Sequence, residues 1–301
     1  MNITSLPTFE YQGVAHKRTF VDTGAANDLN CNLTELRAAS DAVGNNPDEN
    51  TNSVGFERHP DWNGHLHRYA YAGRTIDKLK PSSILDVGCG DLQLPFYLNK
   101  NRYKPQPGTK YFGLELRAKE DWLGQTADQK PKSRYKADMT LVRCDLVRDD
   151  LSGVTDWPGQ FDLVVCFETA EHVPVAYQPE FIRRLFMWTK PGGTCLFSTP
   201  NAGVSRSAAE NHTDPETGEV REMSYQRKID LVCVAGFIHT KSYGTFSAMS
   251  YLPQSVHDKY TSDPDWKKMK EWYDVSLFNC LIAVNNPEHA NNALMVLKRP
   301  E

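Results

Sequence analysis

The segment Cys166-Phe167-Glu168-Thr169-Ala170-Glu171-His172 gathers three proton-handling groups within five residues. An imidazole titrates near ~6.5 and suits a general base, which is the role expected of His172. Glu168 and Glu171 can take a proton, orient the histidine or hold a cation. The plainer possibility is that Glu171 and His172 only cap and pack the following turn. A second constellation is Ile84-Leu85-Asp86-Val87-Gly88-Cys89-Gly90-Asp91. Glycines let a backbone turn sharply and let a ligand approach without side-chain interference. A dinucleotide site would want a third glycine three positions after Gly90 to seat a pyrophosphate, but Gln93 stands there. Asp86 would repel a phosphate and suits an ammonium or sulfonium group instead.

Two further acids extend that turn into a crevice. Glu115 closes Tyr111-Phe112-Gly113-Leu114-Glu115, and Asp145 follows Arg143-Cys144. A carboxylate at the end of the next strand can accept both hydroxyls of a ribose. One at the end of the strand after that can accept an adenine amine, with Leu146 packing on the ring.

These residues need elements to position them. Apolar runs predict strands over Ile84–Val87, Tyr111–Leu116, Leu141–Cys144, Phe161–Phe167, Thr194–Ser198, Tyr243–Ala248 and Ala293–Leu297. Helical spacing is expected near Leu33–Val43, from Asp61 to Leu79, and over Leu92–Leu98 with Pro95 in the first turn. It recurs over Glu180–Thr189, Tyr225–Val234 before Gly236, and Met269–Ala283. Strands alternating with helices predict a mostly parallel α/β sheet with helices on both faces. Residues 1–60 read as an irregular N-terminal extension, with a loop around Gly44–Asn52, and residues 61–301 as one domain.

The spans Ile84–Asp91, Gly113–Leu116, Asp145, Phe161–Val173 and Lys190–Asn201 together resemble the successive motifs of class I S-adenosylmethionine-dependent methyltransferases. The likeness covers about residues 62 to 248. It is nearest the ubiquinone-biosynthesis-type group, through Glu168-x-x-Glu171-His172-Val173 and Lys190-Pro191-Gly192-Gly193…Ser198-Thr199-Pro200-Asn201. The resemblance implies a Rossmann-like seven-stranded sheet whose last strand runs antiparallel. It implies S-adenosylmethionine as cofactor, with Asp86, Gly88, Cys89 and Gly90 at the methionine part. Glu115 and Leu116 would hold the ribose, Asp145 and Leu146 the adenine, and Phe167 and Glu168 would complete the site. Glu168, Glu171 and His172 are the catalytic candidates, and no metal is assigned. Leu92-Gln93-Leu94-Pro95 departs from the family, where many members have another small residue.

The same segments also resemble the HEN-type small-RNA 2′-O-methyltransferases, in which two glutamates and two histidines hold a divalent cation. The second histidine of that set would fall near Glu219-Val220 here. His212, the nearest one upstream, fills the role only if the loop folds back.

Bulk properties narrow the acceptor little. The 301 residues carry a formal net charge of −4, which supplies no general drive toward nucleic acid or anionic membrane. The run Lys130–Lys136 is the one candidate basic patch. The seven cysteines form no C-x-x-C pair, so a reducing, cytoplasmic home is expected. Neither a membrane span nor a secretory signal is visible. No Asn-Pro-Pro-Tyr, Asp-Pro-Pro-Tyr or Pro-Cys follows Phe161–Phe167, which argues against amino-methylation and C5-methylation of DNA bases. His65, His67, Arg68, Tyr69 and Tyr71 share a helix that can cover the cofactor or substrate. Asn201–Glu222, with Arg206, His212 and Arg221, reads as a substrate lid. Trp266, Trp272 and Tyr273 are candidate pocket walls. The expected function is methyl transfer from S-adenosylmethionine to an O, N or C atom of a small molecule. The alternatives are a metal-assisted methyltransferase of RNA ribose or another macromolecule, and a catalytically silent cofactor-binding protein.

Overall fold

The computed structural model describes residues 1–11, 13–24, 62–101, 103–123, 135–154, 156–204, 212–213, 217–245, 247, 252–272 and 275–301. The strands are β1 (Asn2–Tyr11), β2 (Val14–Asp22), β3 (Ser83–Val87), β4 (Lys110–Glu115), β5 (Asp138–Arg143), β6 (Phe161–Phe167), β7 (Thr189–Pro200), β8 (Ile238–Gly244) and β9 (Asn292–Lys298). The helices are α1 (Trp62–Leu79), α2 (Gln93–Lys100), α3 (Gln178–Trp188), α4 (Tyr225–Val234), α5 (Gln254–Ser262), α6 (Pro264–Trp272) and α7 (Val275–Val284).

One sheet of nine strands, in the order β1-β2-β5-β4-β3-β6-β7-β9-β8, joins them. The block β2-β5-β4-β3-β6-β7 is parallel throughout. β9 runs antiparallel to both β7 and β8. The reversed last strand is therefore as expected, while the count exceeds seven because of the hairpin β1–β2.

That hairpin corrects the expectation of an irregular residue 1–60 extension over its first part. Gly13, at φ +77°, turns the chain, and β2 then lies parallel beside β5. The buried Arg18 guanidinium secures the join by donating to the carbonyls of Ala137 at 2.7 Å and Tyr135 at 2.8 Å. Residues 33–52, with their predicted helix and loop, lie outside the described residues.

The core has two faces because successive strand side chains point opposite ways. Leu85, Val87, Phe112, Leu114, Val164 and Cys166 meet Phe181, Ile182 and Leu185 of α3 and Val232 of α4. Ile84, Tyr111, Leu163, Val165 and Phe167 meet Ala72 and Ile76 of α1 and Leu94 and Leu98 of α2. All five residues of β3 are buried, as a central parallel strand covered on both faces requires. Each fully buried Phe or Leu here contributes about 1.5–3 kcal/mol.

Two C-terminal expectations change. The sixth predicted strand sits earlier, as the polar β8 at the sheet edge, where one exposed side tolerates His239, Lys241 and Ser242. The single helix over Met269–Ala283 is instead two short ones, α6 and α7. Trp266 packs with Leu252, Tyr260, Met269 and Ile282 in a satellite core rather than lining a pocket. Trp272 is 73% exposed. Tyr273, Arg206 and Lys130–Arg134 lie outside the described residues.

Topology also fixes where a ligand can sit. From β3 the chain moves outward through β4 and β5, then returns to place β6 and β7 on the other side. Such a switch point opens a crevice at the carboxyl ends of the strands. Gly88, Glu115, Asp145, Glu168 and Asn201 all lie at that edge.

Candidate functional site

The half of the crevice expected to hold the donor is made by backbone turns. The amides of Gly88 and Cys89 donate to Leu114 O at 2.8 and 3.0 Å, binding the loop after β3 to the end of β4. Gly88 has φ +71°, and a Cβ there would meet Thr169 Oγ1 at 2.1 Å, so no other residue fits. Gly90 and Leu92 follow in the left-handed region, at φ +51° and +67°. The departure at Leu92 has a cause: its side chain is buried in the core while its backbone starts α2. Gly113 is required by Cys89, whose sulfur would lie 2.8 Å from an added Cβ. Burial pushes the Cys89 thiol well up, so it is a packing group and not a nucleophile.

The acids expected here are found at the strand ends. Glu115 accepts from the Gly90 amide at 3.2 Å and the Arg117 amide at 3.1 Å. Asp86 is buried and takes the Tyr111 hydroxyl as its partner. Burial and the nearby Glu115 charge push the Asp86 carboxyl up to about 7, against the Tyr111 hydrogen bond. A cationic ligand group beside it would restore the ionised form. Asp145 caps its own turn, accepting from the amides of Val147 at 2.8 Å and Arg148 at 3.1 Å. Leu116 and Leu146 are half-buried beside these acids, and Phe167 is buried against Tyr69 of α1, with ring centroids 6.0 Å apart.

The half expected to face the acceptor is made by side chains. Glu168 has φ +52°, a strained value for a residue with a side chain. Its Oε1 accepts from Ser198 Oγ at 3.0 Å and lies 3.2 Å from Arg68 Nη1, and its Oε2 accepts from Asn292. Both oxygens are thus engaged by β7, α1 and β9. Glu171, in the 3-10 turn Ala170–His172, is buried and accepts from Thr199 Oγ1 at 2.7 Å. Its burial and the charge of Glu168 push its carboxyl up, against the Thr199 hydroxyl. His172 reaches solvent at the rim. Loss of hydration against the surrounding chain, then His212, Arg117 and Arg221, push its pKa down to about 4, leaving it neutral at pH 7.

The loop after β7 does fold back. Thr213 bridges to Val220, and the Arg221 amide donates to His212 O at 2.8 Å. The His212 ring stands 5.0 Å from that of His172, edge to face. One ligand atom each from Glu171, His172 and His212 lie within 4.8 Å of one another.

Sequence reasoning overlooked several members of this half. Lys228 of α4 is fully buried, donating to Thr199 O and Asn201 Oδ1, both at 2.7 Å. Burial pushes its ammonium down to about 7, against the pull of Glu168, Glu171 and Glu222. Glu222 meets His212 Nδ1 at 2.9 Å. Nothing in a single sequence separates these from surface charges. Only Ser198-Thr199-Pro200-Asn201 was a signal, and each polar residue of it proves to hold a charged partner.

A family described as "Methyltransferase domain" matches residues 62–234. A ubiquinone biosynthesis O-methyltransferase of Bordetella bronchiseptica is 29% identical over 134 residues, 44% of this chain and 49% of that protein. One of Methylococcus capsulatus is 32% identical over 120 residues, 40% and 44% of the two chains. The match thus spans about half the length of these curated relatives. The plantazolicin methyltransferase BpumL, solved with SAH, aligns at a TM-score of 0.48 and 12% identity, covering 92% of this chain and 98% of that one. No helix among the described residues is long and apolar enough to cross a membrane. With the family matching more than half of its length, the chain belongs to the class I S-adenosylmethionine-dependent methyltransferases.

Proposed function

We propose that this enzyme methylates an oxygen of a small molecule, within residues 61–301 and with the hairpin extending their sheet. The observation that carries the reading is the placement of His172 beside Glu171, in the turn after β6 and next to the glycine turn. The relatives named O-methyltransferases support oxygen as the acceptor among O, N and C. In this reading Asp86, Gly88, Cys89 and Gly90 border the methionine part, and Glu115 and Leu116 the ribose. Asp145 and Leu146 border the adenine, with Phe167 and Glu168 behind the sulfonium. Most of the acceleration comes from holding donor and acceptor in line, since the sulfonium is already activated. His172 takes the acceptor proton, and Glu168, with both oxygens engaged, orients rather than reacts. Radiolabelled methyl transfer to fractionated cell extract tests this. Label in small-molecule fractions is expected, and label only in macromolecules, or none, overturns it.

One observation favours a second reading, in which a divalent cation assists. Glu171, His172 and His212 converge, and the buried Glu222 Oε2 beside them has no hydrogen-bond partner. One carboxylate and two imidazoles suit Mn²⁺ or a softer ion, and those three residues would hold it. A cation there lowers the pKa of an acceptor hydroxyl, on a small molecule or on an RNA ribose. Loss of label transfer on chelation, restored by added cation, separates this reading from the first.

A further inference from the structure

Glu222 is buried beside His212, and the charge of Lys228 alone does not account for its contacts. Its side chain is 1% exposed, one oxygen meets His212 Nδ1 at 2.9 Å, and the other has no hydrogen-bond partner. A buried carboxylate with an unsatisfied oxygen costs stability that an aliphatic residue of similar size would not. The backbone around it is also fixed without its help. Arg221 is tied through its amide to His212 O, and through its carbonyl to Gln178 Nε2 at 2.5 Å. Met223 bridges to Asn201 and accepts from the Ala202 amide at 3.0 Å. Loop geometry therefore does not need the carboxylate, but the histidine does. With the carboxylate oxygen accepting, Nδ1 carries the proton, and in the neutral ring the lone pair is then left on Nε2.

We infer that Glu222 is the positioning residue of the acceptor-side cluster, fixing His212 as the Nδ1-protonated tautomer so that Nε2 can ligate a divalent cation together with Glu171 and His172. The inference rests on the cation reading above. A carboxylate behind a ligating imidazole fixes ring orientation and raises ligand basicity, and removing it typically weakens metal binding about 10–100-fold.

Two measurements on the full chain test it. Long-range ¹H–¹⁵N spectra of ¹⁵N-histidine-labelled, metal-free wild type should show His212 protonated on Nδ1. A wild-type His212 protonated on Nε2 overturns the inference without any variant. Mn²⁺ titration followed by electron paramagnetic resonance should show one site, weakened about 10–100-fold in Glu222→Gln and less in Glu222→Asp, with S-adenosylmethionine affinity unchanged. If Glu171→Gln loses the ion while Glu222→Gln and Glu222→Asp keep wild-type affinity, the positioning role falls and the cation reading stands. A wild type that binds no Mn²⁺ overturns both.

Discussion

The two halves of the crevice are built from different materials. On the donor side, β3, β4 and β5 end in tight turns, and amides satisfy two of the three acids, Glu115 from Gly90 and Arg117 and Asp145 from Val147 and Arg148, while Asp86 takes the Tyr111 hydroxyl. On the acceptor side, β6 and β7 end in a network of side chains drawn from the whole chain. Glu168 alone is held by Arg68, Ser198 and Asn292. In the function proposed above, the difference follows from the two ligands. The cofactor is one fixed molecule, which backbone turns at strand ends can hold. The acceptor must be oriented and deprotonated, which takes charged groups in a water-poor place. Those groups survive there only when paired.

The largest effect should come from removing a donor-side acid. Glu115→Ala deletes the proposed ribose acceptor and the brace on Gly90 together, and calorimetry should find S-adenosylmethionine binding abolished. Wild-type affinity in that variant would sink the donor-side assignment. Next comes the acceptor-side ammonium. Lys228→Met strands Thr199 O and Asn201 Oδ1 and removes the cation facing three glutamates, a loss of about 3–5 kcal/mol in chemical unfolding. The sign with pH follows from the depressed pKa. The folded state binds fewer protons than the unfolded between about 7 and the ordinary lysine value, so this group makes wild-type stability rise with pH across that window. The variant should lack that rise, and a curve parallel to wild type would count against a buried, titrating Lys228.

A smaller effect separates the halves most directly. His172→Ala should leave cofactor affinity intact in calorimetry while turnover drops about 100-fold, the low end for a lost general base. Equal losses in binding and turnover would show that His172 supports the donor side instead.

This contrast also explains what could be read from the sequence. Asp86, Gly88, Gly90, Glu115 and Asp145 were legible because each sits at a fixed distance from a strand end. The backbone at such turns restricts residue type strongly, as the absence of room for a Cβ at Gly88 shows. The acceptor half was legible only as Glu168, Glu171, His172 and the Ser198–Asn201 run. Lys228 and Asn292 meet that half from 27 and 124 residues away, and Glu222 meets His212 from 10. At such separations no periodicity links partner to partner. The hairpin β1–β2 was missed for a related reason. Its exposed edge and polar alternation look like loop, and its one strongly buried charge, Arg18, finds its acceptors only across the sheet. β8 was displaced because an edge strand as polar as His239–Ser242 carries little hydrophobic signal.

The far end of β6 offers a control for both halves. Asp162 lies at the amino end of the strand whose carboxyl end carries Glu168, and it ties β3 and β7 together there. It accepts from Ser82 Oγ at 2.6 Å and the Ser83 amide at 3.0 Å, and it pairs with Lys190 Nζ at 2.7 Å. Burial alone would raise its carboxyl, but Lys190, Ser82 and Ser83 overcome that and hold it at about 2. A depressed carboxylate stabilises the fold above its unfolded value, near ~3.9, and that contribution is lost as pH falls toward 2. Asp162→Asn should therefore lose about 1–2 kcal/mol at neutral pH, a figure reduced for partial exposure, and should be flatter than wild type in acid unfolding between about pH 4 and 2. Cofactor affinity and turnover should both stay at wild type, because the same strands still end in the same turns. If either activity falls with this change, the strand ends are not independent of the sheet's far edge. The division into a backbone-built donor side and a side-chain-built acceptor side would then need a third, shared element running through β6.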